Sequence, residues 1–358
     1  MSTTIANAAL YVDENLRFGV RRREPIPSTV DGELLIETIY SGANPADIKH
    51  ATLLGIDPAV LGYDFCGRVF SAPQGSKFKP GEIVAGYTPA GIGRPTRYGT
   101  HQRYLACPEE MCFRVPASLP PSHAACLPVV AMTAADALYN IFELPVPNDS
   151  SSNAGTSFGP ILIWGASSSV GICAVQFAKA SGIAPIIVTA SPGRHSLLKE
   201  LGATHTLDYK SPNVAGEIRE ILEKTQCNEI QYGFDAVGSP QGKGSAQLMA
   251  ECVSKEATLV SVVVQEDPRF KMPLATPNLS VTVRPAGAPG SITIPARPAD
   301  YERAWEAFQW AIKNYGICFR LPAVEVFQGT AEEALEEVKA LADGGRGFGK
   351  LVLEHPLL

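Results

Sequence analysis

The first third of the chain alternates short apolar runs with glycine, proline and polar residues, a pattern typical of β-strands bounded by turns. Between residues 8 and 115 these runs show no helical period, so they predict an all-β module of short strands. The runs are GELLIETIYSG, GRVFSAP, GEIVAGYTPAGIG and THQRYLACPE. Residues 126–141, CLPVVAMTAADALYNI, then place apolar residues at helical spacing, and Pro128 suits the first turn of the predicted helix.

The pattern changes again in the second half of the chain. Residues 145–160 are rich in Ser, Asn, Pro and Gly and predict an exposed loop or linker. From residue 159 onward, apolar runs of strand length alternate with helical segments, which predicts a parallel, doubly wound sheet of the α/β class. Residues 266–300 are rich in proline and predict loops around one strand, LSVTVRPA. Two predicted helices, ADYERAWEAFQWAIKN and AEEALEEVKALADG, and a predicted strand, GKLVLEH, follow.

Composition narrows the class of protein. A chain of 358 residues is long enough for two domains, and its net charge of -6 gives no basic field for nucleic acid or an anionic membrane. Small molecules or another protein are therefore the expected partners. The eight cysteines include no C-x-x-C pair and are predicted to be buried free thiols. The first residues lack a signal-peptide pattern and no apolar run approaches the ~20 residues that span a bilayer, so a soluble cytoplasmic protein is expected.

Residues 160–182 place a strand, a tight turn and a helix start in the order that a dinucleotide phosphate requires. Amides and the dipole at the N-terminus of such a helix bind a pyrophosphate. The usual G-x-G-x-x-G is incomplete, because Ala166 and Ser168 stand at the first two glycine positions and Gly171 at the third. The turn therefore predicts cofactor-binding residues Ser167, Ser168, Ser169 and Val170. The alternative is an ordinary strand-to-helix turn.

The end of the next predicted strand indicates which cofactor is bound. An NAD site would place an acidic residue there, about 20 residues after Gly171, to bind the ribose hydroxyls. This chain has Ser191 and then Arg194 and His195. A guanidinium makes a planar, charge-assisted pair of bonds to a phosphate, and a serine adds a hydroxyl donor, so the pattern favours NADPH. The alternative is that Arg194 and His195 are solvated residues in the first turn of a helix.

Taken together, these segments resemble the medium-chain dehydrogenase/reductase superfamily over nearly the full length of the chain. The segments that carry the resemblance are the GASSSVG turn, LGYDFCGRV, KPGEIVAGY, RYGTHQRYLACPE, LPVVAMTAADALY and GKLVLE. The resemblance implies two domains of the α/β class. Residues 1–155, completed by residues 319–358, would form a GroES-like, β-rich catalytic domain, and residues 156–318 a Rossmann NADPH-binding domain with a doubly wound parallel sheet.

The residues that bind zinc in other members of this superfamily are missing. Zinc-dependent members carry a Cys-His pair in one segment and Gly-His-Glu in a second. The corresponding residues here are Asn44 with Pro45, and Gly62 and Tyr63 with Asp64, and no metal is predicted. Oxidation of an alcohol would then lack a Lewis acid on its oxygen. Reduction of a polarised C=C requires only a hydride from the nicotinamide, stabilisation of the enolate oxygen and a proton.

Within the zinc-free quinone and enoyl reductase branch, the chain is most similar to the fungal trans-acting enoyl reductases. These stand-alone proteins serve polyketide synthases whose own enoyl reductase domain is inactive. The resemblance implies NADPH-dependent reduction of an α,β-unsaturated polyketide thioester in secondary metabolism. The substrate would be carried by an acyl carrier domain of a polyketide synthase or a synthase–peptide synthetase hybrid. Two alternatives stay open: a stand-alone NADPH quinone or enone reductase, and a non-catalytic NADPH-binding relative.

The resemblance also implies site residues in the first domain. Lys49 would face the nicotinamide ribose and the substrate as a catalytic residue, and Pro45, Asp47 and Ile48 would join it in binding the cofactor. The alternative for Lys49 is a solvated lysine on a loop. Tyr63 could donate a phenolic proton, but neither Tyr63 nor the next residue, Asp64, is included among the predicted catalytic residues.

In the helical segment after residue 126, Thr133 is the second catalytic candidate. Its hydroxyl suits a thioester carbonyl or a nicotinamide amide, and its alternative is a hydrogen bond within its own helix. Met132, Ala134 and Leu138 either line a substrate channel or pack in the core. Tyr209 resembles the tyrosine that stacks near the adenosine phosphate in relatives, and its alternative is a half-buried residue at a strand end.

A monomer is expected from the sequence SVTVRPAGAPG. Many dimeric relatives pair an edge strand of the nucleotide domain across the two-fold axis. Here Arg284, Pro285 and Pro289 would interrupt such a ladder.

Overall fold

The computed structural model describes residues 7–147, 158–227, 229–240, 243–275, 278–344 and 346–358. The chain divides into two compact units. Unit 1 comprises Met1–Val129, Pro277–Arg297 and Pro322–Leu358, and unit 2 comprises Val130–Thr276 and Pro298–Leu321. Most of the predicted loop at 145–160 lies outside the described residues, and the domain boundaries predicted at 155 and 318 stay a prediction.

The strands of the described residues are, in chain order, β1 (Ala9–Val12), β2 (Phe18–Arg21), β3 (Glu33–Gly42), β4 (Ala59–Val60), β5 (Asp64–Ser71), β6 (Ile83–Tyr87), β7 (Tyr104–Pro108), β8 (Cys112–Arg114), β9 (Ile161–Trp164), β10 (Ile186–Ala190), β11 (His205–Asp208), β12 (Tyr232–Asp235), β13 (Thr258–Ser261), β14 (Phe270–Lys271), β15 (Val281–Val283), β16 (Ile292–Ile294), β17 (Val324–Phe327) and β18 (Lys350–Glu354). The helices follow in the same order: α1 (Ala46–Leu54), α2 (Pro121–Ala124), α3 (Pro128–Ala135), α4 (Ser169–Ala180), α5 (His195–Leu201), α6 (Val214–Thr225), α7 (Ser245–Ala250), α8 (Pro298–Lys313) and α9 (Ala331–Ala342).

Unit 1 is built on a sheet with the strand order β17-β18-β3-β5-β6-β8, in which β7 also pairs with β3. The long strand β3 pairs with three neighbours, so it is the centre of this unit. The predicted all-β module is interrupted by α1, which begins after Pro45 and ends at Gly55 in a left-handed conformation. Proline before the first turn and glycine after the last are typical helix boundaries.

Unit 2 contains the predicted doubly wound sheet, with the parallel strand order β11-β10-β9-β12-β13-β14. Its four central strands, β10, β9, β12 and β13, are largely buried, and Leu162, Ile187 and Leu259 lie in the core of this unit. The strand order reverses between β9 and β12, and ligands of such sheets bind at the carboxyl ends of the strands beside this reversal. The predicted fold class, a β-rich GroES-like part and a Rossmann part, is confirmed.

Two predicted elements have different forms in the structure. The predicted helix at 126–141 is α3 followed by a π-helical turn, Asp136–Ile141. The Asp136 carboxylate accepts hydrogen bonds from Asn140 Nδ2 and the Leu274 amide, both at 2.8 Å, which holds this turn. The strand β15 does not extend the nucleotide-binding sheet as assumed, because it pairs with β16 in unit 1. The expected monomer therefore stays a prediction.

The cysteines of the described residues follow the prediction in part. Five are buried free thiols, two are half-buried and Cys318 is exposed. Burial raises the pKa of the Cys66 and Cys126 thiols to about 12.

In the described part of the chain, no helix combines the length and the apolar character that crossing a membrane requires.

A buried polar network joins three elements of unit 1. The Asp64 carboxylate, which is fully buried at the start of β5, accepts hydrogen bonds from Asn44 Nδ2 at 2.9 Å and the Val129 amide at 2.8 Å. Lys350 Nζ, at the start of β18, donates to Asn44 Oδ1 at 2.7 Å and the Ala43 carbonyl at 2.8 Å. Lys350 Nζ also lies 3.8 Å from Asp64 Oδ2. The network fixes the position of Asn44, which lies just before α1.

This network predicts how stability depends on pH. Burial raises the pKa of Asp64 from 3.8 to about 6, against the opposing effects of Lys350 and Asn44. An acid whose pKa is higher in the folded state stabilises the fold below pH 4 and loses that contribution as the pH rises to about 6. The loss is on the order of 3 kcal/mol at 1.36 kcal/mol for each pH unit.

We therefore expect the free energy of unfolding of Asp64→Asn to fall less between pH 4 and pH 7 than that of the wild type. Urea denaturation of both proteins at several pH values measures the difference. The variant is expected to be less stable overall, because it leaves the Lys350 ammonium without its counter-charge. Parallel pH dependences of the two proteins would contradict the prediction.

Candidate active site

The helix α1 carries the residues predicted to bind the cofactor in unit 1. Pro45 lies at its N-terminal boundary and is exposed, and Ile48 packs against the apolar core of this unit. Asp47 is buried in the first turn, where its Oδ2 accepts a hydrogen bond from the Asn44 backbone amide at 2.8 Å and lies 3.0 Å from His101 Nε2. An acidic residue in the first turn stabilises the helix N-terminus. Asp47 therefore anchors the helix from inside the unit.

Lys49 follows on the same helix and is half-buried. Its backbone amide donates to the Pro45 carbonyl at 3.0 Å. Within the described ranges its ammonium makes no ion pair and no hydrogen bond, in contrast to Lys350, which is engaged in the network of unit 1. The helix thus carries the Lys49 ammonium, which has no partner in the described ranges, and the Asp47 carboxylate, which is held by hydrogen bonds.

Asp47 begins a buried chain of hydrogen bonds that the sequence did not predict. His101 bonds through Nδ1 to Ser41 Oγ at 2.8 Å, and Ser41 Oγ bonds to His355 Nε2 at 2.7 Å. If Asp47 is ionised it accepts from His101, so Ser41 donates to His101 and accepts from His355. Burial, followed by the effect of His101, lowers the pKa of His355 to about 3. Among the four residues of this hydrogen-bonded series, two buried side-chain atoms, Asp47 Oδ1 and His355 Nδ1, have no hydrogen-bond partner in the described part of the protein.

A second, largely buried cluster lies beside α1. His50 Nδ1 is 2.9 Å from the Tyr63 hydroxyl, and the Arg94 guanidinium lies 4.2 Å from the centre of the Tyr63 ring. Burial lowers the pKa of His50 to about 4 and raises that of Tyr63 to about 12. At neutral pH the imidazole is therefore neutral and the phenol keeps its proton.

In unit 2, the turn between β9 and α4 has the form required to hold a phosphate. Gly165 has a φ of 71°, and a Cβ there would lie 2.6 Å from the Cβ of Val237. A Cβ on Gly171 would lie 2.7 Å from the Cα of Ala166, so both positions require glycine. Ser168 caps the helix: its hydroxyl accepts from the Gly171 amide at 3.0 Å and donates to the Ala236 carbonyl at 2.7 Å.

The capping of this helix leaves three backbone donors available. The amides of Ser167, Ser169 and Val170 have no hydrogen-bond partner among the residues that the structure describes. Helix N-termini leave such amides unpaired, and with the helix dipole they bind anions. Three of the four predicted residues of this turn, Ser167, Ser169 and Val170, thus present unpaired backbone amides, whereas the Ser168 amide and hydroxyl bond within the protein. Binding of a pyrophosphate here stays a prediction.

The other predicted cofactor residues of unit 2 lie at the same edge of its sheet. Ser191 and Arg194 follow β10 in a short turn, where the Arg194 amide donates to the Ser191 carbonyl at 2.9 Å. Tyr209 follows β11 and is 40% exposed, and the Lys210 Nζ lies 5.6 Å from the centre of its ring. Because β9, β10 and β11 are parallel neighbours, their carboxyl ends share one edge. Lys210 is a basic residue that sequence reasoning missed, although it lies next to Tyr209.

The substrate candidates in and after α3 are mostly internal. Met132, Ala134 and Leu138 are fully buried, which is the environment of core residues. Thr133 is half-buried. The structure therefore gives packing roles to three of these residues, and their contact with a substrate stays a prediction.

Neither unit offers a metal site in the described ranges, where no group of three His, Cys, Asp or Glu side chains is arranged to hold an ion. Asn44 and Asp64, at the positions of zinc ligands in other members, bond to each other instead. Unit 2 thus offers donors for a dinucleotide phosphate, and unit 1 offers a cation on α1 beside a neutral imidazole–phenol pair.

Two family models match the chain. The alcohol dehydrogenase GroES-like domain matches residues 30–117, and the zinc-binding dehydrogenase family matches residues 169–309. Among solved structures, the CurK enoyl reductase covers 98% of this chain and is itself covered completely, with a TM-score of 0.69 and 18% identity. At this identity the likeness shows the fold.

Two curated relatives are fungal enzymes. The trans-enoyl reductase resD of Aspergillus sclerotiorum is 28% identical over 98% of each chain. The trans-enoyl reductase himH of Aspergillus japonicus is 34% identical, over 58% of this chain and 59% of its own length. With matches in both units and over nearly the whole length, the chain belongs to the medium-chain dehydrogenase/reductase superfamily, and its relatives there include fungal trans-enoyl reductases.

Proposed function

We propose that the protein is an NADPH-dependent trans-acting enoyl reductase. It reduces the C=C bond of an α,β-unsaturated polyketide thioester that the acyl carrier domain of a polyketide synthase presents. The names of the fungal relatives support the reaction class and the kind of partner.

The observation that carries the proposal is the set of unpaired amides at residues 167, 169 and 170, under a turn that tolerates no side chain at Gly165 or Gly171. Such a site takes a pyrophosphate. Ser191 and Arg194, at the neighbouring strand end, bind the 2'-phosphate of NADPH, and Tyr209 stacks near it. The absence of an acidic residue in the segment 191–195 removes the usual acceptor for the ribose hydroxyls of NAD.

When bound, the nicotinamide supplies the hydride. Lys49, on the anchored helix α1, holds the cofactor ribose and orients the substrate. Pro45, Asp47 and Ile48 define the start of that helix, so they place Lys49. Thr133 donates its hydroxyl to the thioester carbonyl, where negative charge develops during reduction.

An acceptor assay tests the proposed reaction. We expect NADPH oxidation with a 2-enoyl pantetheine thioester and no oxidation without an acceptor. Oxidation with a quinone alone would contradict the thioester substrate and support a quinone reductase. Tight NADPH binding without turnover on any acceptor would support a non-catalytic protein.

Replacement of Arg194 tests the cofactor. We expect Arg194→Ala to raise the Kd of NADPH about 10- to 100-fold, since a hydrogen bond to a charged group contributes about 1.5–3 kcal/mol, and to leave the Kd of NADH unchanged. Fluorescence titration with both cofactors measures the effect. Lys199→Ala, which removes a positive charge from α5, the helix that follows Arg194, is the control. An unchanged NADPH Kd in Arg194→Ala would refute the 2'-phosphate site.

Replacement of Lys49 tests the role of α1. We expect Lys49→Met to lower kcat/KM for the enoyl thioester about 10²-fold, because a misplaced substrate or cofactor loses the geometry of hydride transfer. Steady-state kinetics measure the change. Lys79→Met, which replaces an exposed lysine, serves as the matched control. Equal activity of the two variants would exclude a role for Lys49.

A further inference from the structure

The cluster of His50, Tyr63 and Arg94 contains a buried cation that has no ion-pair partner in the described ranges. Arg94 is only 8% exposed, and in the described ranges it forms no ion pair. Its Nη2 donates to the carbonyls of Gly62 and Tyr98, both at 2.6 Å, and to Thr88 Oγ1 at 2.9 Å. These three bonds hold the guanidinium over the Tyr63 ring.

A buried charge without an ion-pair partner costs free energy, and Arg94 adds a second cost because its buried Nε has no hydrogen-bond partner. The cost falls whenever negative charge forms beside the guanidinium. The nearest group that can acquire such charge is the Tyr63 phenol. The Asp47 carboxylate also favours the charged guanidinium, but it makes no ion pair with Arg94, and its Oδ2 bonds to the Asn44 backbone amide and to His101.

His50 completes the arrangement. It is the residue after Lys49 on α1, so the helix that carries Lys49 also contacts the phenol. With its proton on Nδ1, His50 donates to the phenolic oxygen and leaves the phenolic O–H free for another acceptor. Its Nε2 makes no hydrogen bond to any residue in the described part of the chain.

We propose that Tyr63 supplies the proton that completes the reduction, with Arg94 stabilising the resulting phenolate and His50 returning a proton from water. This inference rests on the proposed enoyl reductase function. Hydride addition to the β-carbon leaves an electron pair delocalised over the α-carbon and the carbonyl oxygen. The Tyr63 O–H bond breaks, and its proton forms the new C–H bond at the α-carbon. The phenolate then pairs with Arg94 until water reprotonates it through His50, so atoms and charges balance.

Tyr63→Phe tests this role. With a 2-methyl-2-enoyl pantetheine thioester in D2O, the wild type is expected to place deuterium on one face of the α-carbon. We expect the variant to lower kcat about 10²- to 10⁴-fold, the usual effect of losing a general acid, and to give a mixture of epimers. Its NADPH Kd is expected to stay within twofold of the wild-type value. Mass spectrometry, NMR of the product and cofactor titration provide these readouts.

Tyr104→Phe is the matched control, because Tyr104 is another buried tyrosine of unit 1 whose hydroxyl bonds to Glu37 at 3.2 Å, outside the cluster. Full activity and a single epimer from Tyr63→Phe would overturn the inference while leaving enoyl reduction intact. No wild-type turnover of the thioester would overturn both.

If Tyr63→Phe does not fold, His50→Asn tests the proposal instead. Asparagine keeps a hydrogen-bond donor near the phenol but removes the Nε2 atom through which the proton would return. A fall of about tenfold in kcat with unchanged NADPH affinity is then expected. An unchanged kcat in His50→Asn would refute the return of the proton through His50 and, with it, the proposal.

Discussion

The structure of unit 1 depends on the burial of one carboxylate. Asp64 is removed from water at the start of β5, and Asn44 and Lys350 must satisfy it there. These partners come from the segment before α1 and from the last strand, so the network brings distant parts of the chain to one place. Because Asn44 lies just before the helix, the position of Lys49 and His50 follows from the same network. Charge compensation in the core thus determines where the candidate chemistry lies.

Most of the fold could be predicted from the sequence because the patterns that indicate its strands and helices are local. Apolar runs of strand length, alternating with helical periods, predicted the parallel sheet of unit 2, and the strand order agrees. The exceptions are short elements. The helix α1 has only nine residues and no clear apolar stripe, so turn-like residues around it indicated a loop. The strands β14 and β16 have two and three residues, too few for a period.

The two parts of the candidate site differ in how far the sequence could predict them. The phosphate turn is one continuous segment, and its residues were identified together with the strand and helix that flank it. The buried chain from Asp47 to His355 was not, because its members come from a helix, a loop, a strand and the C-terminal segment. Scattered single histidines contain no linear pattern. Only the pairing of β3 with β18 brings Ser41 near His355.

The capping of α4 changes what a nucleotide motif means in this chain. The Ser168 hydroxyl is engaged twice within the protein, so the donors that remain for an anion at 167, 169 and 170 are backbone amides. Every residue except proline carries such an amide. The side chains at these three positions can therefore vary while the binding surface keeps its shape, provided that Gly165 and Gly171 keep the turn closed. A search for the glycine motif by residue type alone would therefore undervalue this turn, because the donors it presents belong to the backbone.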